Sequence, residues 1–161
     1  MPIVLYRVDE RLIHGQVVIG WGHELRPARY LLVDDELAAG DWEQELYRLG
    51  AGGAEVVFAT LVEARAQLDA WQSDDVRSIL LARDIGTVRG LAEDGGLAGE
   101  VVNLGGIHHS AGRVEVLPYL HLTADDRADL EALAAAGVEI NAQDLPDAAR
   151  VGLPALLQRG S

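Results

Sequence analysis

The sequence predicts an α/β fold, a three-layer, open, mainly parallel twisted sheet with helices on both faces. Three observations point there: short continuous apolar runs recur along the chain, helix start signals stand between them, and 49% of residues are apolar against 24% charged, the balance of a folded globule. The runs are Ile3-Val4-Leu5-Tyr6, Tyr30-Leu31-Leu32-Val33, Val56-Val57-Phe58-Ala59, Ile79-Leu80-Leu81-Ala82, Val101-Val102-Asn103-Leu104 and Val138-Glu139-Ile140. Most lack strict alternation of apolar and polar residues. That is the mark of strands covered on both faces, as happens when helices link parallel strands.

The helix start signals are Asp41 with Gln44, Thr60 with Glu63 and Thr123 with Asp126, each an N-cap residue followed three positions later by an acid or amide. Leu61, Ala64, Leu68 and Trp71 then keep the spacing of one helical face, and Leu130, Leu133 and Ala134 do so before Gly137 offers a stop. From Gly105 to Leu122 the rhythm breaks, and Gly105-Gly106, Gly112 and Pro118 predict a loop followed by a short strand. Arg150 to Ser161 reads as a final short helix around Pro154 or a frayed end. No internal repeat and no linker divides the chain, so residues 1–161 read as a single domain.

Composition removes several classes of function. The chain has no cysteine, which excludes disulfides, thiolate metal sites and cysteine nucleophiles. All 13 basic residues are arginine, so lysine chemistry is excluded as well. A net charge of −13 repels nucleic acid and the anionic face of a bilayer. No stretch approaches the roughly 20 apolar residues of a membrane span. The start, Met1-Pro2-Ile3-Val4-Leu5-Tyr6-Arg7, is too short and too soon charged for a signal peptide. The expectation is a cytoplasmic protein with no direct membrane insertion, reaching the inner membrane only through partner proteins.

In open parallel sheets ligands bind beyond the carboxyl ends of the strands. The first strand ends near Val8, and Asp9-Glu10-Arg11-Leu12-Ile13-His14-Gly15-Gln16 leads into a helix whose buried face is predicted to include Val17, Val18, Trp21 and Leu25. His14 therefore stands at a helix entrance, where unpaired backbone N–H groups attract anions, and Gly15 lets a ligand approach closely. A neutral imidazole can attack a phosphoryl donor without a separate base, forming a labile P–N bond suited to onward transfer. Arg11 is the best candidate to neutralise the incoming charge. A guanidinium at about 4 Å contributes a few kcal/mol at an effective dielectric of 20, against about 0.3–1 kcal/mol from the helix terminus. Asp9 is placed to orient Arg11 or the imidazole, Gln16 to cap the site or the helix, and Arg7 is a weaker second cation within the strand. Nothing in this chemistry asks for a cofactor or a metal.

Each residue also has a plainer reading. A single histidine at a loop-to-helix junction is, without context, more often a surface or capping residue than a nucleophile. His108 and His109, with His121 or His23, suggest metal ligands, but adjacent residues seldom present both rings to one ion, and a gating loop or plain exposed histidines are favoured. Asp34-Asp35-Glu36 fits a helix dipole better than Mg²⁺, and Trp21, Trp42 and Trp71 read as packing or partner-contact residues.

The run Arg7-Val8-Asp9-Glu10-Arg11-Leu12-Ile13-His14-Gly15-Gln16-Val17 closely resembles the phosphorylation-site signature of IIB components of the mannose/fructose/sorbose-type, phosphoenolpyruvate-dependent sugar phosphotransferase system (PTS), whose histidine occupies the position of His14. Arg29-Tyr30-Leu31-Leu32-Val33-Asp34-Asp35-Glu36 is similar to that family's second strand and acidic turn, and Asn103-Leu104-Gly105-Gly106 to its late glycine turn. The family usually carries a methionine or similar residue after the second glycine and then an aromatic; this chain has Ile107-His108-His109-Ser110. The resemblance implies a IIB phosphocarrier, a protein-Nπ-phosphohistidine–sugar phosphotransferase. It would accept phosphate on His14 from a IIA phosphohistidine and pass it to a sugar held by the membrane IIC and IID components. His14 and Arg11 would be the catalytic pair, with Asp9, Gly15, Gln16, Gly105 and Gly106 binding or orienting phosphate; the family resemblance also allows a homodimer. The alternatives are an orphan regulatory phosphocarrier and an anion-binding interaction module without a transport partner. A phosphatase is least favoured, because no general acid for water attack is evident.

Overall fold

Residues 2–159 are described by a computed structural model of the chain; Met1, Gly160 and Ser161 lie outside the described residues, and with them the last part of the expected frayed end. The apolar runs become β1 (Ile3–Val8), β2 (Arg29–Val33), β3 (Glu55–Ala59), β4 (Ser78–Ala82), β5 (Val101–Leu104) and β8 (Glu139–Ala142). These six strands are all parallel, and the short β9 (Val151–Gly152) adds an antiparallel edge, giving the order β3-β2-β4-β1-β5-β8-β9.

Side chains alternate between two cores, as the pleat requires. Tyr30, Leu32, Ile79 and Leu81 pack on one face with Leu12, Ile13, Val17 and Leu37. Leu31, Val33, Leu80 and Ala82 pack on the other with Leu68, Trp71, Val88, Leu130 and Leu133. The first face is covered by the segment after β1 and by α2 (Asp35–Ala38) and α3 (Asp41–Gly50). The second is covered by α4 (Leu61–Ser73), α5 (Ile85–Leu91), α6 (Ala124–Ala135) and the short α7 (Leu153–Gln158), which starts around Pro154. The three layers are those the sequence predicts.

Capping chemistry sets most helix starts. Thr60 with Glu63 and Thr123 with Asp126 both form complete capping boxes, with all four hydrogen bonds between 2.9 and 3.1 Å. Asp34 caps α2, leaving Asp35 and Glu36 in its first turn. Asp41 differs from expectation: Gly40 is the N-cap of α3, and the Gln44 amide turns back to the carbonyls of Leu37 and Ala38 at the end of α2. At the end of α6, Gly137 takes φ +85°, the left-handed conformation that ends a helix.

Two further corrections concern irregular segments. The single short strand expected before Leu122 is a hairpin of β6 (Val114–Leu117) and β7 (Leu120–Leu122), because Pro118 and Tyr119 turn the chain back on itself. The helix after His14 is wide-wound over Gln16–Gly22 before one α-helical turn, α1 (His23–Leu25). Val17 and Trp21 are buried there, and Val18 and Leu25, half-buried, pack against the same core from its margin. Gly20 and Gly22 lie where a side chain would press on Leu145 and on the Tyr30 hydroxyl, which lets this segment sit close to its neighbours.

Candidate functional site

Strand β1 runs between β4 and β5, and its connection leaves toward β2 while that of β5 leaves toward β8. The two loops diverge at their carboxyl ends and open a crevice, the place where open α/β sheets bind ligands. Asp9 to Gly15 forms one wall and Gly105 to Ser110 the other, stitched by the Glu10 N–H donating to the Gly106 carbonyl at 2.9 Å.

The first loop is held in an unusual shape. Leu12 adopts φ +55°, a left-handed conformation that costs a branched side chain energy, and its side chain is fully buried as an anchor. The Leu12 N–H donates to the Asp9 carbonyl at 3.0 Å, closing a tight turn that lifts Ile13 and His14 over Asp9.

Asp9 is the hub. It is fully buried; its Oδ1 accepts from the Arg11 backbone N–H at 3.1 Å, and its Oδ2 lies 3.1 Å from His14 Nε2 and 3.4 Å from both Arg7 Nη2 and the Gly106 N–H. Burial pushes the Asp9 carboxyl up, but His14, Arg7 and the Arg11 N–H together outweigh it and hold it below the usual carboxylate range. His14 Nε2 is shielded from water and lies within ion-pair distance of the carboxylate without forming a hydrogen bond of good geometry. The His14 side chain keeps 13% of its surface exposed, so Nδ1 is the ring nitrogen that solvent reaches.

Arg7 proves to be structural support, not the weaker second cation expected. It is fully buried, donates to Asn103 Oδ1, to the Gln143 carbonyl at 2.8 Å and to the Asp144 carbonyl at 3.0 Å, and stacks on Trp21 at 5.1 Å. Burial lowers the proton affinity of its guanidinium, while Asp9 and Asp144 oppose that shift. A Cβ on Gly105 would collide with this guanidinium, so Gly105 serves the support beneath the crevice. Gly106 packs against Asp9 and His108. Gly15 has open space around it, and Gln16 is half-buried, its Oε1 3.5 Å from Arg11 Nη2. Arg11 is exposed and makes that contact instead of one with the imidazole.

Sequence reasoning passed over Glu10. Its carboxylate accepts from the His108 N–H at 3.2 Å, touches His108 Nδ1 at 3.1 Å and pairs with Arg113, which also donates to the His108 carbonyl at 2.8 Å. His108 thus closes the second wall against the first. Ile107 is buried, and His109 meets His121 edge to face at 5.7 Å. Among the described residues no group of three His, Cys, Asp or Glu side chains is arranged to hold a metal ion. The signal for Arg7 was present in the sequence, an arginine inside an apolar strand with polar Asn103, Asn141 and Gln143 near the ends of others.

Fold and site together are those of an open-sheet α/β protein with a partly exposed histidine, backed by a buried carboxylate, at the switch point of its sheet. The chain belongs to the family of PTS system sorbose subfamily IIB components, whose model matches residues 3–161. It is 30% identical to the N-acetylgalactosamine-specific phosphotransferase enzyme IIB component 1 of Escherichia coli (strain K12), over 94% of this chain and 96% of that one. The crystal structure of the PTS system N-acetylgalactosamine-specific IIB component 1 from Escherichia coli superposes with a TM-score of 0.85 at 30% identity, covering 92% and 97% of the two chains. The IIBSor domain of the Klebsiella pneumoniae sorbose permease shares the fold, with a TM-score of 0.88 at 24% identity, over 98% and 97% of the chains. The PTS system mannose-specific EIIAB component of Escherichia coli is 31% identical over 87% of this chain, which corresponds to 43% of that longer protein. Phosphotransferase activity in PTS sugar transport is the family's class of function. Among the described residues no helix is long and apolar enough to cross a membrane.

Proposed function

We propose that the chain is a cytoplasmic phosphocarrier, a single IIB domain over residues 1–161, that accepts a phosphoryl group on His14 Nδ1 and passes it to a sugar. The observation that carries this reading is the ring's orientation. With Asp9 3.1 Å from Nε2, the proton is favoured on that nitrogen and the lone pair is left on Nδ1, the nitrogen that solvent reaches. Attack by Nδ1 forms an N–P bond as the donor's N–P bond breaks. The donor ring, which enters protonated on its other nitrogen, leaves neutral, and the positive charge of the new phosphoimidazolium rests beside the Asp9 carboxylate. No proton needs to move in that step.

Arg11 is the residue we assign to the phosphoryl oxygens. Its side chain is exposed and lightly held, so it is free to swing onto a dianion arriving at the ring. Gly15 leaves room for that group, and Gly106 keeps the opposite wall close. The donor is a IIA phosphohistidine protein and the acceptor a sugar held by membrane IIC and IID components. The mannose-specific EIIAB relative, named for both a IIA and a IIB part, supports the first assignment.

Incubation with a phosphorylated IIA protein, followed by mapping of the acid-labile label, is expected to find phosphate on His14. Undiminished labelling of His14→Ala overturns the reading.

A further inference from the structure

We propose that Arg83 is a second phosphate-binding cation of this site, closing with Arg11 on the phosphoryl group; the inference rests on the phosphocarrier reading above and adds a residue to it. Arg83 follows the last residue of β4, the strand next to β1, and the Asp9 N–H donates to the Ala82 carbonyl at 2.9 Å. The arginine thus leaves the sheet beside the loop that carries His14. It lines a cleft of about 550 Å³ together with Arg11, Ile13, Trp42, Glu43 and Tyr47, so the two arginines share one concavity with the residue preceding His14.

The side chain is half-buried and has no hydrogen bond or ion pair among the described residues; its Nε–H is shielded from water without any acceptor. A shielded donor left unpaired costs free energy unless a ligand satisfies it. Glu43 lines the same cleft but forms no hydrogen bond or ion pair with Arg83, and the other nearby acids are engaged elsewhere. Both oxygens of Glu10 are engaged by His108 and Arg113, and Asp84 Oδ1 accepts from the Thr87 N–H and hydroxyl at 2.7 and 2.8 Å. In a chain with a net charge of −13, an unneutralised arginine beside a second one marks a place for an anion. The planar fork of a guanidinium fits two oxygens of a phosphoryl group, and two such forks can share the three oxygens of one in transfer.

The test has two arms on the full chain. In the first, inorganic phosphate is titrated into wild type and His14→Ala while the Arg83 Nε–H is followed in ¹H–¹⁵N spectra. The resonance is expected to shift in both proteins, and a shift with acetate but none with phosphate overturns the proposal in favour of a carboxylate-bearing partner. In the second, phosphoryl transfer from a phosphorylated IIA protein is timed. Arg83→Gln is expected to slow it by about 10- to 100-fold with an unchanged melting temperature, and Arg83→Lys to recover part of the rate. Wild-type labelling on His14 with an unchanged rate in Arg83→Gln defeats the role of Arg83 alone; absence of label on wild-type His14 defeats the phosphocarrier reading itself. Should Arg83→Gln fail to fold, the phosphate titration of wild type still decides.

Discussion

Below His14 the protein is closed, and above it is open; the two arginines on either side of Asp9 mark the difference. Arg7 is fully buried with its charge spent on Asp9, Asn103 and two carbonyls, whereas Arg11 stands in solvent with one long contact to Gln16. The same contrast separates the glycines, since Gly105 has a guanidinium against it and Gly15 has nothing. A rigid, charge-compensated floor fixes the imidazole, and a loose cationic rim is left to respond to a ligand. The proposed phosphocarrier role asks for both, since such a site must first receive a dianion and then release it.

Substitution should separate floor from rim. The largest effect is expected for Arg7→Met, which strands a buried carboxylate and should lower the unfolding free energy by about 3–5 kcal/mol in urea denaturation. The rim counterpart, Arg11→Ala, should stay within about 0.5 kcal/mol in the same measurement while impairing phosphotransfer. An equal loss in both variants would erase the distinction. Next come the glycines. Gly105→Ala must displace the Arg7 guanidinium and should cost about 1–3 kcal/mol. Gly15→Ala, at a helical φ of −49° in open space, should leave stability unchanged or raise it by up to about 1 kcal/mol. A slower phosphotransfer in Gly15→Ala despite that stability would sharpen the comparison.

The smallest effect concerns acid. Because the folded Asp9 carboxyl is held below its ordinary value, its contribution to stability is present above the unfolded pKa of about 3.9 and is lost as the pH falls through the lower folded value. Denaturation midpoints taken from pH 6 downward should therefore fall more steeply for wild type than for Asp9→Asn below about pH 4. Parallel curves would mean that the floor does not rest on that charge.

Much of the fold was readable from the chain because its signals are local. Tyr30 to Val33 and Ile79 to Ala82 are apolar without alternation, and only a strand buried on both faces is built that way. The boxes at Thr60 and Thr123 lie within four residues and form as expected. Asp41 failed as a cap because Gln44 found carbonyls of the preceding helix, a competition no window around Asp41 reveals. The hairpin of β6 and β7 and the edge strand β9 are too short to carry a period, and they exist by virtue of the partners they pair with. His14, Arg11 and Asp9 were legible through their spacing in one loop, whereas Glu10 shows its role only once His108 and Arg113 come to meet it.

By itself the sequence determined the alternation of strand and helix, the strong acidity, the absence of thiol and lysine chemistry, and the loop in which a histidine follows Asp9 and Arg11. Only the tertiary structure decided which arginine is floor and which is rim, and that Arg83 lines a cleft with Arg11. Periodicity and capping act over a few residues, whereas Arg7 meets acceptors 96 to 137 positions away. The fate of a charge depends on which strands lie side by side, and that is settled when the sheet assembles.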